Sequence, residues 1–203
     1  MVELMVAMVA GLLLVAAVTS LFATILKANQ TAMQTSRLNQ ELQSITDMIA
    51  RDVQRAGYDL GATAFLAAAS GARSPFYFDT SSDLMIETST GSKIYRCIVV
   101  KYDDDADGVL DNTSAAGETR LYNYNSAEKA IRLDEGNTAS CSAGEKISTE
   151  QTIEITDLTF TMLSGSVSKG ARAIRIVISG SDKKSPALKL TLQRDIKLRN
   201  DGY

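Results

Sequence analysis

The sequence predicts an α+β fold in which one long N-terminal helix packs on an antiparallel β-sheet. Three features predict this fold class: an apolar run from Leu4 to Leu26, an apolar stripe at helical spacing that continues to Ala56, and a remainder in which strand-like segments follow one another. A chain of 203 residues can hold one domain and an appendage. We therefore divide it into an apolar transmembrane helix (1–26), its amphipathic continuation (27–60) and a β-rich globular domain (61–203).

The first segment is apolar apart from one carboxylate near its start. Glu3 is the single charged residue in MVELMVAMVAGLLLVAAVTSLFATIL. A run of about 20 apolar residues can cross a bilayer, whereas a cleaved signal peptide has a shorter apolar core and a basic front. The residues leave two interpretations of Glu3. It lies in the headgroup region and stabilises the helix N-terminus by about 0.3–1 kcal/mol, or it is an acid among apolar helices that requires a partner.

The amphipathic segment continues this helix without a break. Residues 27–56 contain no proline and no glycine, and their apolar side chains recur every three or four positions, which places them on one helix face. The stripe consists of Leu38, Leu42, Ile45, Met48, Ile49, Val53 and Ala56. Gly57 and Gly61, which follow the stripe, favour termination of the helix. A helix from Leu4 to Ala56 would be about 80 Å long, at about 1.5 Å per residue.

The remainder of the chain is predicted to be a β-sheet. The small-residue segment 62–75 is typical of a loop, with a short helix over 62–69 as the alternative. The segments after it are rich in β-branched and aromatic residues, which favour strands. We predict strands at 76–78, 84–87, 93–102, 120–124, 130–133, 152–163, 171–180 and 186–199. Asp157 is a candidate break within one of them, and the lack of helices between strands favours antiparallel pairing.

Several segments resemble one protein superfamily. VELMVAMVAGLLLVAAVTSLF is similar to the mature N-terminus of type IV pilins and type II secretion pseudopilins. RDVQRAGYDLG at the end of the predicted helix, then RCIVVKYDDDADG, a second cysteine and ITDLTFTM, resemble in their order the minor pilins of the PilW type. This resemblance implies the pilin-like fold, with residues 1–26 as the filament-core helix.

The resemblance also implies a function. In pilins the equivalent of Glu3 neutralises the N-terminal amine of a neighbouring subunit and guides its addition to the filament. The expected protein is a minor pilin that helps to initiate a type IV pilus and is built into it, in a tip complex. Its expected partners are other minor pilins, the major pilin and the inner-membrane assembly platform. We expect a single pass through the inner membrane with a periplasmic globular domain, and later a place in the cell-surface pilus.

Two other functions remain open at this level. A minor pseudopilin of the type II secretion system (J-like) would share the fold and the assembly chemistry but would serve protein export. A membrane-anchored periplasmic calcium-binding protein would explain the acidic loop described below. It would leave the unbroken helix and Glu3 without a role.

An acidic loop in the globular part predicts a calcium site. The pattern D-x-D-x-D-G, which opens calcium loops, is formed here by Asp103, Asp105, Asp107 and Gly108. Alternate carboxylates of this pattern converge on one hard cation, and the glycine permits the sharp turn. Asp111 falls where a later ligand, often bound through water, is expected. The predicted ligands are therefore the three aspartates of the pattern and Asp111.

The loop departs from a complete calcium motif at one place. Ser114 occupies the position of the bidentate glutamate, and the sequence leaves open whether Glu118 replaces it. Five aspartates within nine residues repel one another strongly without a counterion. We expect calcium at low affinity, with a solvated acidic turn as the alternative.

The two cysteines, Cys97 and Cys141, are expected to form a disulfide. If the apolar helix anchors the chain, both lie on the oxidising side of the membrane, where two cysteines most simply pair. Closing an interval of about 45 residues would stabilise the fold by about 3–4 kcal/mol. The alternative is one buried and one exposed thiol. Redox catalysis has little support, because the chain has no C-x-x-C and no histidine.

The composition argues against catalysis and against nucleic-acid binding. The absence of histidine removes the commonest general base, and no nucleophile has a recognisable activating group. The net charge is −3, and lysine and arginine are not clustered, so that no nucleic-acid contact is expected. We therefore expect a protein that is not an enzyme and that has no cofactor other than calcium.

Overall fold

The computed structural model describes residues 2–62, 73–111, 117–136, 140–149, 151–164 and 173–199. The elements are α1 (Val2–Arg55), β1 (Leu84–Glu87), β2 (Ile94–Lys101), β3 (Thr119–Asn125), β4 (Ala130–Glu135), β5 (Glu145–Lys146), β6 (Ile153–Ser164), β7 (Ala173–Asp182) and β8 (Lys189–Lys197). The strands form one sheet in the order β5-β4-β3-β2-β6-β7-β8, with β1 also paired to β2. All these pairings are antiparallel. The predicted α+β, pilin-like fold is confirmed.

The chain divides by its internal contacts after Arg37, within α1. In the first unit the large apolar side chains from Val2 to Leu26 are exposed. By length and composition this helix can cross a membrane. These properties indicate a membrane-anchored protein with a globular domain.

The second unit begins at Leu38 and contains the predicted stripe of α1, which is buried except for the half-buried Met48. Leu38, Leu42 and Ile49 are almost completely excluded from solvent and belong to the core beneath the sheet. Gly180 on β7 allows a close approach, since a Cβ at this position would lie 3.1 Å from Leu42 Cδ2 and 3.3 Å from Leu38 Cδ1. The stripe therefore packs on the sheet through direct contact with β7.

Gly57 ends the helix as predicted. Its φ of 77° is in the left-handed region that favours glycine at this position. Its N–H turns away from the helix and donates to the Lys101 carbonyl oxygen at 2.9 Å. Gly61 does not end the helix but contacts Gly108 in the acidic loop. The chain that leaves α1 is thus attached at once to the end of β2.

The predicted strands are present, with small shifts at their ends and one exception. Residues 76–78 are not a strand. Phe76 and Phe78 are buried in a loop, where the Ser74 Oγ accepts from the Phe76 N–H at 3.1 Å. The pairing of β6 with β7 shifts register between Ile155 and Asp157, at the predicted break. The alternative helix over 62–69 lies outside the described residues, apart from Ala62.

A disulfide joins Cys97 and Cys141 across the second face of the sheet. Ile98 and Val100 of β2 belong to the core under α1. Cys97 and Val99 alternate with them and form a smaller buried cluster on the other face. The disulfide attaches the Cys141 loop over this smaller cluster, which has no helix to cover it within the described residues.

Breaking this disulfide is expected to destabilise the globular domain. A Cys97→Ala/Cys141→Ala variant should lose about 2–4 kcal/mol of unfolding free energy, because the unfolded chain gains the freedom of an open loop. Denaturant unfolding of the detergent-solubilised full chain measures this, and reductant should have a similar effect on the wild type. Intact mass after alkylation supplies the check. Two alkylated thiols without prior reduction would show that the native protein lacks the bridge.

Candidate functional site

The acidic loop after β2 brings four carboxylates together. One carboxylate oxygen from each lies within 4.8 Å of the others, and the group consists of Asp103, Asp105, Asp107 and Glu118. The spacing of the aspartates produces this arrangement through successive turns. The Asp107 N–H donates to Asp105 Oδ1 at 3.1 Å, and the Val109 N–H donates to Asp107 Oδ1 at 2.7 Å. Gly108 turns the chain with a φ of 74°.

Asp103 is buried, and only one of its two oxygens has donors. Its Oδ2 accepts from the Leu60 N–H at 3.1 Å and from the Gly108 N–H at 3.2 Å. Its Oδ1 is buried without a hydrogen-bond partner, and the residue as a whole is only 1% exposed. A buried carboxylate oxygen without a donor is costly unless a cation neutralises it. A cation held by the group would neutralise this oxygen.

Glu118, and not Asp111, supplies the fourth carboxylate of the group. The pairing of β2 with β3 extends to Lys101 and Thr119, so that Glu118 stands opposite the start of the loop. Its Oε1 accepts from the Asp104 N–H at 3.2 Å, and its Oε2 accepts from the Asp111 N–H at 2.6 Å. Asp111 therefore contributes a backbone donor, while its side chain is exposed and outside the group. Ser114 lies outside the described residues.

The four oxygens suit a hard divalent cation. Carboxylates are the ligands that Ca²⁺ and Mg²⁺ prefer, and this set has no nitrogen or sulfur that would favour a transition metal. Two members are exposed and two are buried, so a cation can enter from solvent and still be held by the fold.

A buried polar network that was not predicted from the sequence lies beside the acidic loop. Asp52 on α1 is 5% exposed and accepts hydrogen bonds from the Tyr122 hydroxyl and, at 3.3 Å, from Arg120 Nη1. Both donors are on β3, so the network joins the helix to the sheet. One signal was present in the sequence. Asp52 follows Ile49 by three residues and precedes Ala56 by four, which places it on the buried stripe.

Tyr102 extends this network to the loop. The Arg55 guanidinium lies 4.0 Å from the centre of its ring and also pairs with Asp104, and Arg120 lies 5.6 Å from the same ring. Burial, followed by the negative charge of Asp52, raises the pKa of Tyr102 to about 12. The same two causes raise the pKa of Tyr122. Both phenols therefore remain protonated at neutral pH, and the Tyr122 hydroxyl serves as a donor to Asp52.

Glu3 lies in the first turn of α1, and its side chain is exposed. The side chains around it are exposed and apolar, including Val2 and Leu4. Lipid or other apolar helices can cover such a surface. Glu3 would then be a carboxylate at the edge of an apolar environment.

A protein-family model described as prepilin peptidase-dependent protein B matches residues 31–198. The chain belongs to this family. Membership indicates a pilin-like protein that is processed by a prepilin peptidase, and it supports a role as a pilin or pseudopilin that interacts with other components of such a filament. No curated protein and no solved structure gives a significant match.

The match to the prepilin peptidase-dependent protein B family covers most of the features described above. It includes the amphipathic part of α1 from residue 31 onward, both cysteines and the whole acidic group. The first 30 residues, Glu3 among them, precede it.

Proposed function

We propose that this protein is a minor pilin of the PilW type that helps to initiate a type IV pilus and is incorporated into it, in a complex at the tip. The observation that carries the proposal is Glu3 in the first turn of a long helix with an exposed apolar surface. A carboxylate among apolar helices is stabilised by pairing with a cation. The N-terminal amine of a neighbouring subunit would be such a cation, so that Glu3 recognises the correct neighbour.

The proposed path of the protein follows from the same helix. The apolar surface from Val2 to Leu26 is covered by lipid while the protein is anchored in the inner membrane with its globular domain in the periplasm. On assembly, the helices of other minor pilins and of the major pilin replace the lipid, and the inner-membrane platform carries out the transfer. The role is structural and not catalytic.

Crosslinking in living cells tests this proposal. A photo-reactive amino acid replaces Leu12 or Leu21, two exposed apolar residues of α1, and the crosslinked proteins are identified by mass spectrometry. We expect type IV pilins to be captured. The same probe in place of Gln193, on the edge strand β8, is the control for proximity through the globular domain. Capture of type II secretion pseudopilins would favour that system instead. Capture of neither would contradict a filament role.

We further propose that the acidic group binds Ca²⁺. Support comes from the four converging carboxylates and from the donor-free Asp103 Oδ1. We propose Ca²⁺ over Mg²⁺, because Ca²⁺ accepts a flexible set of oxygen ligands, whereas Mg²⁺ demands near-ideal octahedral coordination and retains several waters. The serine at the usual glutamate position, Ser114, argues for a dissociation constant of about 10⁻⁴ M or weaker.

Calcium is expected to raise the stability of the globular domain. At a free concentration about a hundred times the dissociation constant, the unfolding free energy should rise by about 2.7 kcal/mol. Thermal unfolding of the full chain in detergent, with calcium, magnesium or chelator, measures the effect. Asp105→Asn should abolish the shift. Asp111→Asn should retain it if Glu118 is the fourth ligand. An unfolding midpoint of the wild type that is the same in all three conditions would contradict calcium binding, and the loop would then be a solvated acidic turn.

A further inference from the structure

Asp103, whose Oδ1 accepts no hydrogen bond, is also the residue that holds the chain leaving α1. Asp103 is attached to this chain at two points. Its N–H donates to the Tyr58 carbonyl oxygen at 2.9 Å, and its Oδ2 accepts from the Leu60 N–H at 3.1 Å. The segment 57–61, which we call the exit segment, therefore depends directly on the position of a candidate ligand.

The exit segment has few other attachments to the sheet among the described residues. The Gly57 N–H donates to the Lys101 carbonyl oxygen at 2.9 Å. Gly61 lies so close to Gly108 that a Cβ on Gly61 would be 3.7 Å from the Gly108 Cα. The side chains of Tyr58 and Leu60 are exposed, so that burial of apolar surface contributes little here. Asp59 is buried and accepts from the Ser74 Oγ at 2.6 Å, which ties the segment to the loop before β1. On the side of the sheet, the attachment consists of the contacts to the acidic loop and to the end of β2.

We propose that a Ca²⁺ ion in the acidic group fastens the exit segment to the end of β2. This inference rests on the calcium site proposed above and extends it to the regulation of the helix junction. With the ion bound, Asp103 is neutralised and stays buried, and both of its attachments to the exit segment persist. Without the ion, Asp103 lies buried beside Asp105, Asp107 and Glu118, and repulsion between these charges favours its movement towards solvent.

Movement of the Asp103 side chain towards solvent breaks its contact with the Leu60 N–H directly and weakens the backbone contact between Asp103 and Tyr58. The effect is local, because the sheet is held by its own ladders and by the core under α1. Removal of calcium therefore opens the exit segment while β7, in the middle of one half of the sheet, stays closed. The concentration of calcium outside the cytoplasm would control how firmly the chain after α1 is held.

Hydrogen exchange measured by mass spectrometry tests the proposal on the full chain in detergent. Peptides that cover 57–62 are compared with peptides from β7, in calcium and in chelator. We expect exchange at the Leu60 amide, whose acceptor is the Asp103 carboxylate, to be at least about tenfold slower with calcium. Exchange in β7 should not change. Asp105→Asn should remove the calcium effect, and Asp134→Asn, the same change on β4 outside the acidic group, should preserve it.

The outcomes separate this inference from calcium binding itself. If calcium raises the unfolding midpoint but slows exchange in 57–62 no more than in β7, the ion binds but does not fasten the exit segment. If calcium changes neither the midpoint nor the exchange, both proposals fail. If Asp134→Asn removes the effect as Asp105→Asn does, the protection depends on overall charge and the assigned site is wrong.

Discussion

Cells that carry Glu3→Ala are expected to assemble at least about tenfold fewer surface pili than wild-type cells, because removal of one partner from a desolvated ion pair costs several kcal/mol and each 1.4 kcal/mol corresponds to a factor of ten. The globular domain should remain folded, since Glu3 belongs to the first unit of the chain and the core is built from the second. The protein should also remain in the membrane, because the apolar surface from Val2 to Leu26 otherwise persists.

Two further variants at this position separate charge from shape. Glu3→Gln keeps the size and removes the charge, and it should assemble as poorly as Glu3→Ala. Glu3→Asp keeps the charge on a shorter side chain and should restore part of the assembly. Electron microscopy of surface pili, with immunoblots of membrane fractions as the control for protein level, measures each case. Normal piliation in Glu3→Ala would remove the assembly role of this carboxylate.

The fold with one long helix could be predicted because the spacing of apolar residues in the sequence matches the positions that are buried in the structure. Residues such as Leu42 and Ile49 recur at helical spacing and are buried, and the continuous apolar run of β2 is buried on both faces. The wrong strand at 76–78 shows the limit of this pattern. Aromatic residues indicate burial as well as strands, and Phe76 and Phe78 achieve burial in a loop. The two-residue strand β5 has exposed side chains and leaves no apolar pattern to detect.

The candidate site could be predicted only where it is local in sequence. Asp103, Asp105 and Asp107 come together through turns between near neighbours, which the spacing encodes. Glu118 reaches the site through the register of β2 with β3, which the spacing of the aspartates does not encode. The partners of Asp52 lie on β3, far along the chain, so their contact depends on how α1 lies on the sheet.

The second large effect is expected from Asp52→Ala, which should lower the unfolding free energy of the globular domain by about 2–4 kcal/mol. The Tyr122 hydroxyl is buried and loses its acceptor, which costs about 1–3 kcal/mol. Arg120 loses its Asp52 partner, and because its side chain is 25% exposed, water replaces part of that interaction. Asp52→Asn retains an acceptor for the hydroxyl and should cost less than Asp52→Ala.

A matched control and a double-mutant cycle test the assignment. Asp47→Ala removes an aspartate from the exposed face of the same helix, where it pairs with Arg194, and should cost less than about 1 kcal/mol.

In the Asp52→Ala background, Tyr122→Phe removes the orphaned hydroxyl. The double variant should therefore be more stable than the sum of the two single changes predicts, by about 1 kcal/mol. Urea unfolding of the detergent-solubilised full chain measures these variants and Asp52→Asn, and it is followed by tyrosine fluorescence because the protein has no tryptophan. Strict additivity in the cycle, or an equal cost for Asp47→Ala and Asp52→Ala, would show that the buried network contributes nothing beyond the helix surface.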